Sequence, residues 1–212
     1  FIKKAQERLS FLQAEQEVQP LKVLNQEQTK AYQLIQRKEG VHLLYGQTGS
    51  GKTEVYLHLA KKAIEEGKQV LILVPEIGLT PQMVNRVSRV FGQDLGMYHS
   101  GLNEQERYEQ YQLVKQGRLK VIVGTRSAIF LPFQKLGLIV LDEEHDSSYK
   151  SGATPRFHAR QVAMHIASIK KCPVVMASAT PSCEAWYMLE KGVIEKLSLT
   201  KRLAGGTMPS VE

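Results

Sequence analysis

The chain has 212 residues, 42% of them hydrophobic, which is enough for one compact domain with its own core. Its 28 Lys and Arg residues against 21 Asp and Glu residues leave a net charge of +7, which permits a polyanionic partner without requiring one. No apolar run is long enough to span a bilayer, and the opening FIKKAQERLS lacks the apolar stretch of a signal peptide, so a soluble, cytoplasmic protein is expected.

Two cysteines without a CxxC pair indicate neither a zinc site nor a disulfide framework. Residues 1–20 carry a helical charge pattern that ends at Pro20, so a linker or peripheral helix is expected there. The chain starts with Phe1 and ends at SVE, just after a basic, Gly-rich stretch, and residues 204–212 are expected to form a connector. We therefore expect this chain to be part of a longer protein.

Between these ends, short aliphatic runs alternate with stretches of helical periodicity. The runs predict strands at 41–45, 70–74, 96–99, 121–125, 136–143 and 174–180. The periodic stretches predict helices at 26–38, 53–66, 79–92, 103–116, 158–170 and 181–191. This alternation predicts an α/β domain over 21–203 with a mostly parallel sheet covered on both faces, whose ligands bind beyond the carboxyl ends of the strands.

A glycine-rich loop follows the first predicted strand and leads into a helix, which is the context of a phosphate-binding loop. Its residues are Gly46, Gln47, Thr48, Gly49, Ser50, Gly51, Lys52 and Thr53. Backbone N–H groups of such a loop surround the phosphates, Lys52 adds a positive charge, and the Thr53 hydroxyl can ligate Mg²⁺. A chance match to the GxxxxGK[ST] pattern is the alternative, and the strand–helix context argues against it.

The sequence Asp142-Glu143-Glu144-His145 ends the apolar strand LGLIVL, at the same edge of the sheet as the phosphate loop. Asp142 suits a ligand of Mg²⁺, and Glu143 suits the base that orients or deprotonates an attacking water. Without the phosphate loop, a solvated acidic turn would explain these carboxylates equally well. Together the two motifs predict a Mg·ATP site.

A phosphate loop, a DExH box and Ser178-Ala179-Thr180, in that order, resemble motifs I, II and III of superfamily 2 helicases. The strings LVPEIGLTPQ (73–82), YHSGLNEQER (98–107), VGTRSAIFLPF (123–133) and LDEEHDSSYK (141–150) more specifically resemble the primosomal replication-restart helicases. That resemblance implies the first of two RecA-like lobes of a motor that uses ATP and Mg²⁺ to move 3′ to 5′ on DNA. The zinc module of the family is implied only beyond this chain.

The resemblance also implies site residues. Gln28 would read adenine, although a solvent-facing helical glutamine is an alternative. His145, Ser178 and Thr180 would relay the nucleotide state. The DNA-binding residues implied by the family are Pro75, Thr80, Gln82, Gly124, Thr125, Arg126, Ser127, Tyr149, Lys150, Arg156, Phe157 and Arg160. Helix capping by Thr125 and Ser127, and anchoring of a helix to the core by Phe157, remain open alternatives.

The partners that the resemblance implies are single-stranded and forked DNA, primosome proteins and single-strand-binding proteins, with no membrane. The isolated lobe is expected to be a monomer that hydrolyses little ATP. A P-loop ATPase of transport or assembly type, acting on a protein, is the alternative, but that class does not need the DExH box followed by Ser-Ala-Thr. A nucleotide-independent binding module would leave Lys52 and Glu143 without a purpose.

Overall fold

The computed structural model describes residues 19–201, in which helices and strands alternate along the chain. The elements are α1 (Gln26–Arg37), β1 (Val41–Gly46), α2 (Lys52–Glu65), β2 (Gln69–Leu73), α3 (Pro81–Phe91), β3 (Leu95–Tyr98), α4 (Glu104–Lys115), β4 (Val121–Gly124), β5 (Leu136–Asp142), α5 (Ala159–Lys170), β6 (Val174–Ser178), α6 (Cys183–Glu190) and β7 (Glu195–Leu199). Short 3₁₀ helices cover Glu76–Gly78, Gly92–Asp94, Arg126–Phe130 and Ser147–Tyr149. Every strand and helix that the sequence predicts is present, with ends shifted by only a few residues.

All strands pair in parallel in one sheet with the order β3-β4-β2-β5-β6-β1-β7. The outermost strand, β7, which pairs with β1, was not predicted from the sequence. Along β7 only Leu197 and Leu199 are buried, whereas Lys196 and Ser198 are exposed. A strand buried on one face lacks the continuous apolar run that identifies the central strands.

The core lies on the two faces of the sheet because side chains of successive strand residues point to opposite sides. On one face, Ile72 and Val140 pack with apolar residues of α1, α2 and α3. On the other face, Leu71 and Ile139 pack with residues of α4, α5 and α6. This confirms the predicted three-layer α/β fold.

Three neighbouring strands, β5, β6 and β1, bring the predicted motifs together. Parallel strands present their carboxyl ends at one edge, where the phosphate loop leaves β1, the acidic box leaves β5 and Ser178 ends β6. A ligand-binding site is therefore expected at the carboxyl ends of these three strands. The predictions for residues 1–18 and 204–212 fall outside the described residues. Within residues 19–201, no helix has the length and apolarity needed to cross a membrane.

Candidate functional site

The phosphate loop, residues 46–53, has a backbone that glycine makes possible. Gly49 and Gly51 have φ angles of +83° and +82°, in the left-handed region where glycine carries no steric cost. At Gly46 a Cβ atom would lie 2.5 Å from Ser50 Oγ, so a side chain there would collide with the loop itself. The loop then enters α2, whose N-terminal N–H groups favour an anion.

Inside this loop the polar groups are turned inward. The Nζ atom of Lys52 is buried and donates to the carbonyl oxygens of Gly46 (2.7 Å) and Gln47 (3.4 Å). The Ser50 hydroxyl is also buried, and it has no hydrogen-bond partner within residues 19–201. A loop with an enclosed lysine and an unpaired hydroxyl fits a phosphate group, which offers several acceptor oxygens.

A cleft of about 280 Å³ opens beside this loop. Its lining residues are Lys22, Thr48, Gly49, Gly51, Lys52, Thr53, Glu54, Arg86, Asp142 and Glu143. The structure thus brings the predicted phosphate-binding and acidic residues into one cleft. Three further lining residues, Lys22, Glu54 and Arg86, were not predicted from the sequence. The buried Glu54 carboxylate forms an ion pair with Arg86 of α3 across the cleft wall. Burial lowers the pKa of Arg86.

Asp142 is the more enclosed of the two predicted acidic residues. Burial raises the pKa of its carboxyl, while a hydrogen bond from Tyr56 and the charge of Lys52 act in the opposite direction. The Tyr56 hydroxyl donates to Asp142 Oδ2 at 2.9 Å and also hydrogen-bonds the Thr53 side chain. The sequence analysis missed Tyr56, which lies within the apolar stretch of α2 and gave no signal of its own.

Glu143 is more exposed and has an unusual backbone. Its φ angle of +46° is uncommon for a residue with a side chain, and such conformations concentrate at functional sites. Its N–H donates to Asp142 Oδ1 at 3.2 Å, and its carboxylate lines the cleft. The backbone turn therefore lets consecutive carboxylates face the same cleft.

The predicted coupling residues do meet. His145 Nδ1 lies 2.9 Å from Ser178 Oγ, and His145 Nε2 lies 3.4 Å from Thr180 Oγ1. Ser178 Oγ also accepts a hydrogen bond from the Thr180 N–H at 3.1 Å. His145 Nδ1 is 3.7 Å from Glu143 Oε2, so a continuous polar path joins the acidic box to the end of β6.

Arg160 does not have the surface position that its predicted role in DNA binding needs. It is only 4% exposed, and its Nη1 donates to Glu144 Oε2 at 2.9 Å and to Ser182 Oγ at 2.7 Å. Glu144 Oε1 in turn accepts from the Ser182 N–H at 2.7 Å. This burial argues against a direct contact of Arg160 with DNA, because the carboxylate of Glu144 neutralises its charge. Arg160, Glu144 and Ser182 together tie the acidic box to the start of α6.

Tyr149 was also predicted to bind DNA. Its ring is fully buried, and its hydroxyl donates to the carbonyl oxygens of Leu73 (2.9 Å) and Asp142 (2.5 Å). Burial raises the pKa of Tyr149 well above its usual range. A ring in this position cannot stack on a nucleic-acid base, so it supports the ends of β2 and β5 instead.

Gln28 is 1% exposed, and both ends of its side-chain amide are hydrogen-bonded within the protein. Its Oε1 accepts from the Asn25 N–H at 2.9 Å, and its Nε2 donates to the carbonyl oxygens of Ser50 (3.2 Å) and Gly51 (3.4 Å). The solvent-facing alternative is therefore wrong, and contact with adenine stays a prediction that requires these hydrogen bonds to be exchanged. Gln28 instead anchors α1 to the phosphate loop.

The other residues predicted to bind DNA divide by exposure. Pro75, Gly124 and Thr125 are buried in the described structure, and their contact with DNA stays a prediction. The Thr125 side chain makes no capping hydrogen bond to the 3₁₀ helix that follows it. Exposed positions are held by Thr80, Gln82, Ser127, Lys150 and Arg156. Thr80 caps α3 by accepting from the Met83 N–H at 3.3 Å.

Arg126 and Phe157 connect two segments beyond the strand ends. Arg126 Nη1 donates to the carbonyl oxygens of Ser148 and Lys150, at 2.9 Å each. Phe157 is partly buried and packs against the core, as the alternative interpretation expected, while its ring also meets Phe130 edge to face. Both residues hold the 144–160 segment against the turn after β4.

A parallel sheet that combines a phosphate loop after β1 with an acidic box after β5, with β6 between the two strands, defines a RecA-like P-loop NTPase domain. The model of the DEAD/DEAH box helicase family matches residues 25–188, and the chain belongs to this family.

Among curated proteins, the chain is similar to the replication restart protein PriA. It is 46% identical to PriA of Bacillus subtilis over 193 residues, covering 89% of this chain and 24% of that protein. It is 48% identical to PriA of Treponema pallidum over 191 residues, covering 89% of this chain and 29% of that protein. The chain therefore spans only about a quarter of the length of these relatives.

Solved structures show the same fold. RecG bound to a three-way DNA junction matches with a TM-score of 0.65 and 22% identity, covering 98% of this chain and 27% of RecG. The UvsW helicase of bacteriophage T4 matches with a TM-score of 0.58 and 17% identity, covering 93% of this chain and 67% of UvsW. At these identities the likeness shows a shared fold.

Proposed function

We propose that this chain is the first motor lobe of an ATP-dependent DNA helicase that moves 3′ to 5′ on single-stranded DNA during replication restart. The observation that carries the proposal is the single cleft in which Lys52, Thr53, Asp142 and Glu143 meet, joined by His145 to Ser178. The similarity to PriA supports the replication-restart role. Primosome proteins, single-strand-binding proteins and forked DNA are the partners that this role implies.

The residues of the cleft suit Mg·ATP. Lys52 and the N–H groups of the loop would hold the phosphates, while the Thr53 hydroxyl and the Asp142 carboxylate are oxygen donors of the kind that Mg²⁺ prefers. When bound, the ion would neutralise charge that develops on the phosphates. Glu143, on its exposed turn, would orient and deprotonate the attacking water.

His145 would carry the state of the cleft to the far side of the acidic box. Its ring contacts Ser178 and Thr180 on one side and faces Glu143 on the other. A change at Glu143 would therefore alter the hydrogen bonds at the end of β6. The match to the DEAD/DEAH box helicase family supports a helicase over a P-loop ATPase of transport or assembly type.

The direct test measures ATP turnover by the intact protein that carries this lobe, with single-stranded DNA, with blunt duplex and without DNA. We expect stimulation by the single strand. Residues 1–212 alone are expected to hydrolyse ATP orders of magnitude more slowly, because an arginine supplied from outside the phosphate loop is typically worth about 10³–10⁵ in turnover. Turnover by residues 1–212 within about tenfold of the intact protein would contradict the division of labour between two lobes.

The hydroxyl of Tyr56 gives a pH-dependent prediction. Its hydrogen bond lowers the pKa of Asp142, so Tyr56→Phe is expected to raise that pKa further. Mg²⁺ binding needs the ionised carboxylate, and affinity for Mg·ADP is therefore expected to fall at a higher pH in the variant than in the wild type. The measurement is a titration of Mg·ADP affinity across acidic to neutral pH.

The same titration in EDTA is the control, since the phosphates of ADP titrate identically in both proteins. If the affinity for Mg·ADP depends on pH in the same way in the wild type and in Tyr56→Phe, Asp142 does not bind the ion.

A further inference from the structure

An exposed aromatic ring, that of Phe130, contacts one of the predicted DNA-binding residues, Phe157. Phe130 ends the 3₁₀ helix that follows β4 and is 56% exposed. Tyr149, which was predicted to bind DNA, is buried. Exposed hydrophobic side chains are common on protein surfaces, so exposure alone does not distinguish Phe130; its contact with the ring of Phe157 beyond the strand ends does.

The ring of Phe130 is held in a defined orientation. Its centroid lies 4.9 Å from that of Phe157, with the two planes at 77°. Phe157 is fixed because it packs against the core and its carbonyl accepts from the Ser151 N–H at 2.8 Å. An edge-to-face contact of this kind supports one side of the Phe130 ring and leaves the remainder open to solvent.

Two exposed cations, Lys150 and Arg156, lie on the segment that carries Phe157. The guanidinium of Arg126 binds the Ser148 and Lys150 carbonyls, which draws the 144–160 segment onto the turn that ends at Phe130. Lys150 also forms an antiparallel bridge with His158, one residue beyond Phe157. Exposed Lys150 and Arg156 therefore belong to the same ring-bearing unit, and their charge suits a polyanion.

We propose that Phe130 is a base-stacking residue for single-stranded nucleic acid, with Phe157 as its support and with Lys150 and Arg156 as phosphate contacts. The proposal rests on the proposed function and names the contact through which this lobe would bind an unpaired strand. Stacking needs an open face of a base, which a duplex does not offer, so the occupant is a single strand. A protein segment could also cover an exposed ring, and the test separates the two.

The test compares two oligomers of equal charge, oligo-dT and an abasic oligomer of the same length, in equilibrium binding to the intact protein. Phe130→Ala is expected to weaken binding of oligo-dT by about 5- to 150-fold, which corresponds to ~1–3 kcal/mol for one stacked base. Binding of the abasic oligomer is expected to stay unchanged. Phe130→Trp is expected to restore oligo-dT affinity because the indole keeps a stacking face.

Ile169→Ala is the matched control, because Ile169 is an exposed hydrophobic residue (64%). It lies in the last turn of α5, just before β6 begins, and therefore near the amino ends of the strands, away from Phe130. Equal affinity of wild type and Phe130→Ala for oligo-dT would overturn the stacking role and leave the proposed function standing. Equal weakening of both oligomers would also overturn it, because that pattern reports a change in backbone contacts. Failure of the wild type to bind either oligomer would overturn the proposed function itself.

Discussion

Lys52→Ala is expected to weaken nucleotide binding by about 10- to 150-fold, which is the loss of one or two hydrogen bonds from a charged group. The Lys52 ammonium lies inside the phosphate loop and binds the carbonyl oxygens of Gly46 and Gln47, so the substitution removes a positive charge from within the loop. Glu143→Gln is expected to bind nucleotide within a few-fold of the wild type while hydrolysis falls by about 10²–10⁴, the usual contribution of a general base. Affinity for Mg·ADP and steady-state turnover of the intact protein provide the two measurements.

The contrast between the variants is the informative result. Glutamine keeps the size of the Glu143 side chain and its place on the strained turn, so the loss reports the missing charge and basicity. An equal loss of nucleotide binding in both variants would contradict the separation of a binding lysine from a water-activating glutamate. Unchanged hydrolysis in Glu143→Gln would assign the base to another residue.

Arg160→Met is expected to lower the free energy of unfolding by about 3–5 kcal/mol, because the Glu144 carboxylate would remain buried without its cation. Both side chains are almost completely enclosed, which removes the solvent screening that weakens surface ion pairs. Arg160→Met/Glu144→Gln is expected to lose less than the sum of the two single variants, since no unpaired charge is left. Urea unfolding of the four proteins measures this coupling.

Arg156→Met is the control, because Arg156 is exposed in the same segment and its loss is expected to change stability by no more than about 0.5 kcal/mol. If Arg160→Met costs no more than Arg156→Met, the buried trio does not hold the acidic box to α6. A loss of DNA affinity without a loss of stability in Arg160→Met would support the predicted role of Arg160 in DNA binding.

The elements of this fold could be predicted because each depends on a local pattern. The central strands are continuous apolar runs, and the phosphate loop combines glycines with a lysine in a spacing that chance seldom produces. The strand β7 was missed because its buried residues alternate with exposed ones. Alternation over only five residues is a weaker sign of a strand than the continuous apolar runs of the central strands.

The site residues were harder to predict because residue type alone does not reveal burial. Arg160 and Arg126 carry the same guanidinium, yet one neutralises a buried carboxylate and the other binds backbone carbonyls. Tyr149 and Phe130 are both aromatic residues near the same strand ends, and only the packing of the chain decides which ring is exposed. Chemistry could be assigned from motifs, whereas accessibility needed the tertiary structure.

The position of β1 in the sheet has a consequence for synthesis of the protein. Its two neighbours are β6 and β7, so Val41 pairs with Val174 and His42 with Glu195, near the other end of the described chain. Contacts between residues so far apart in sequence form slowly, and a ribosome delivers the partners of β1 last. The phosphate loop, although encoded early, therefore acquires its final geometry only after almost all of these residues have emerged. A nascent chain that stops before Val174 would carry every residue of that loop and still lack the strands that hold it in place.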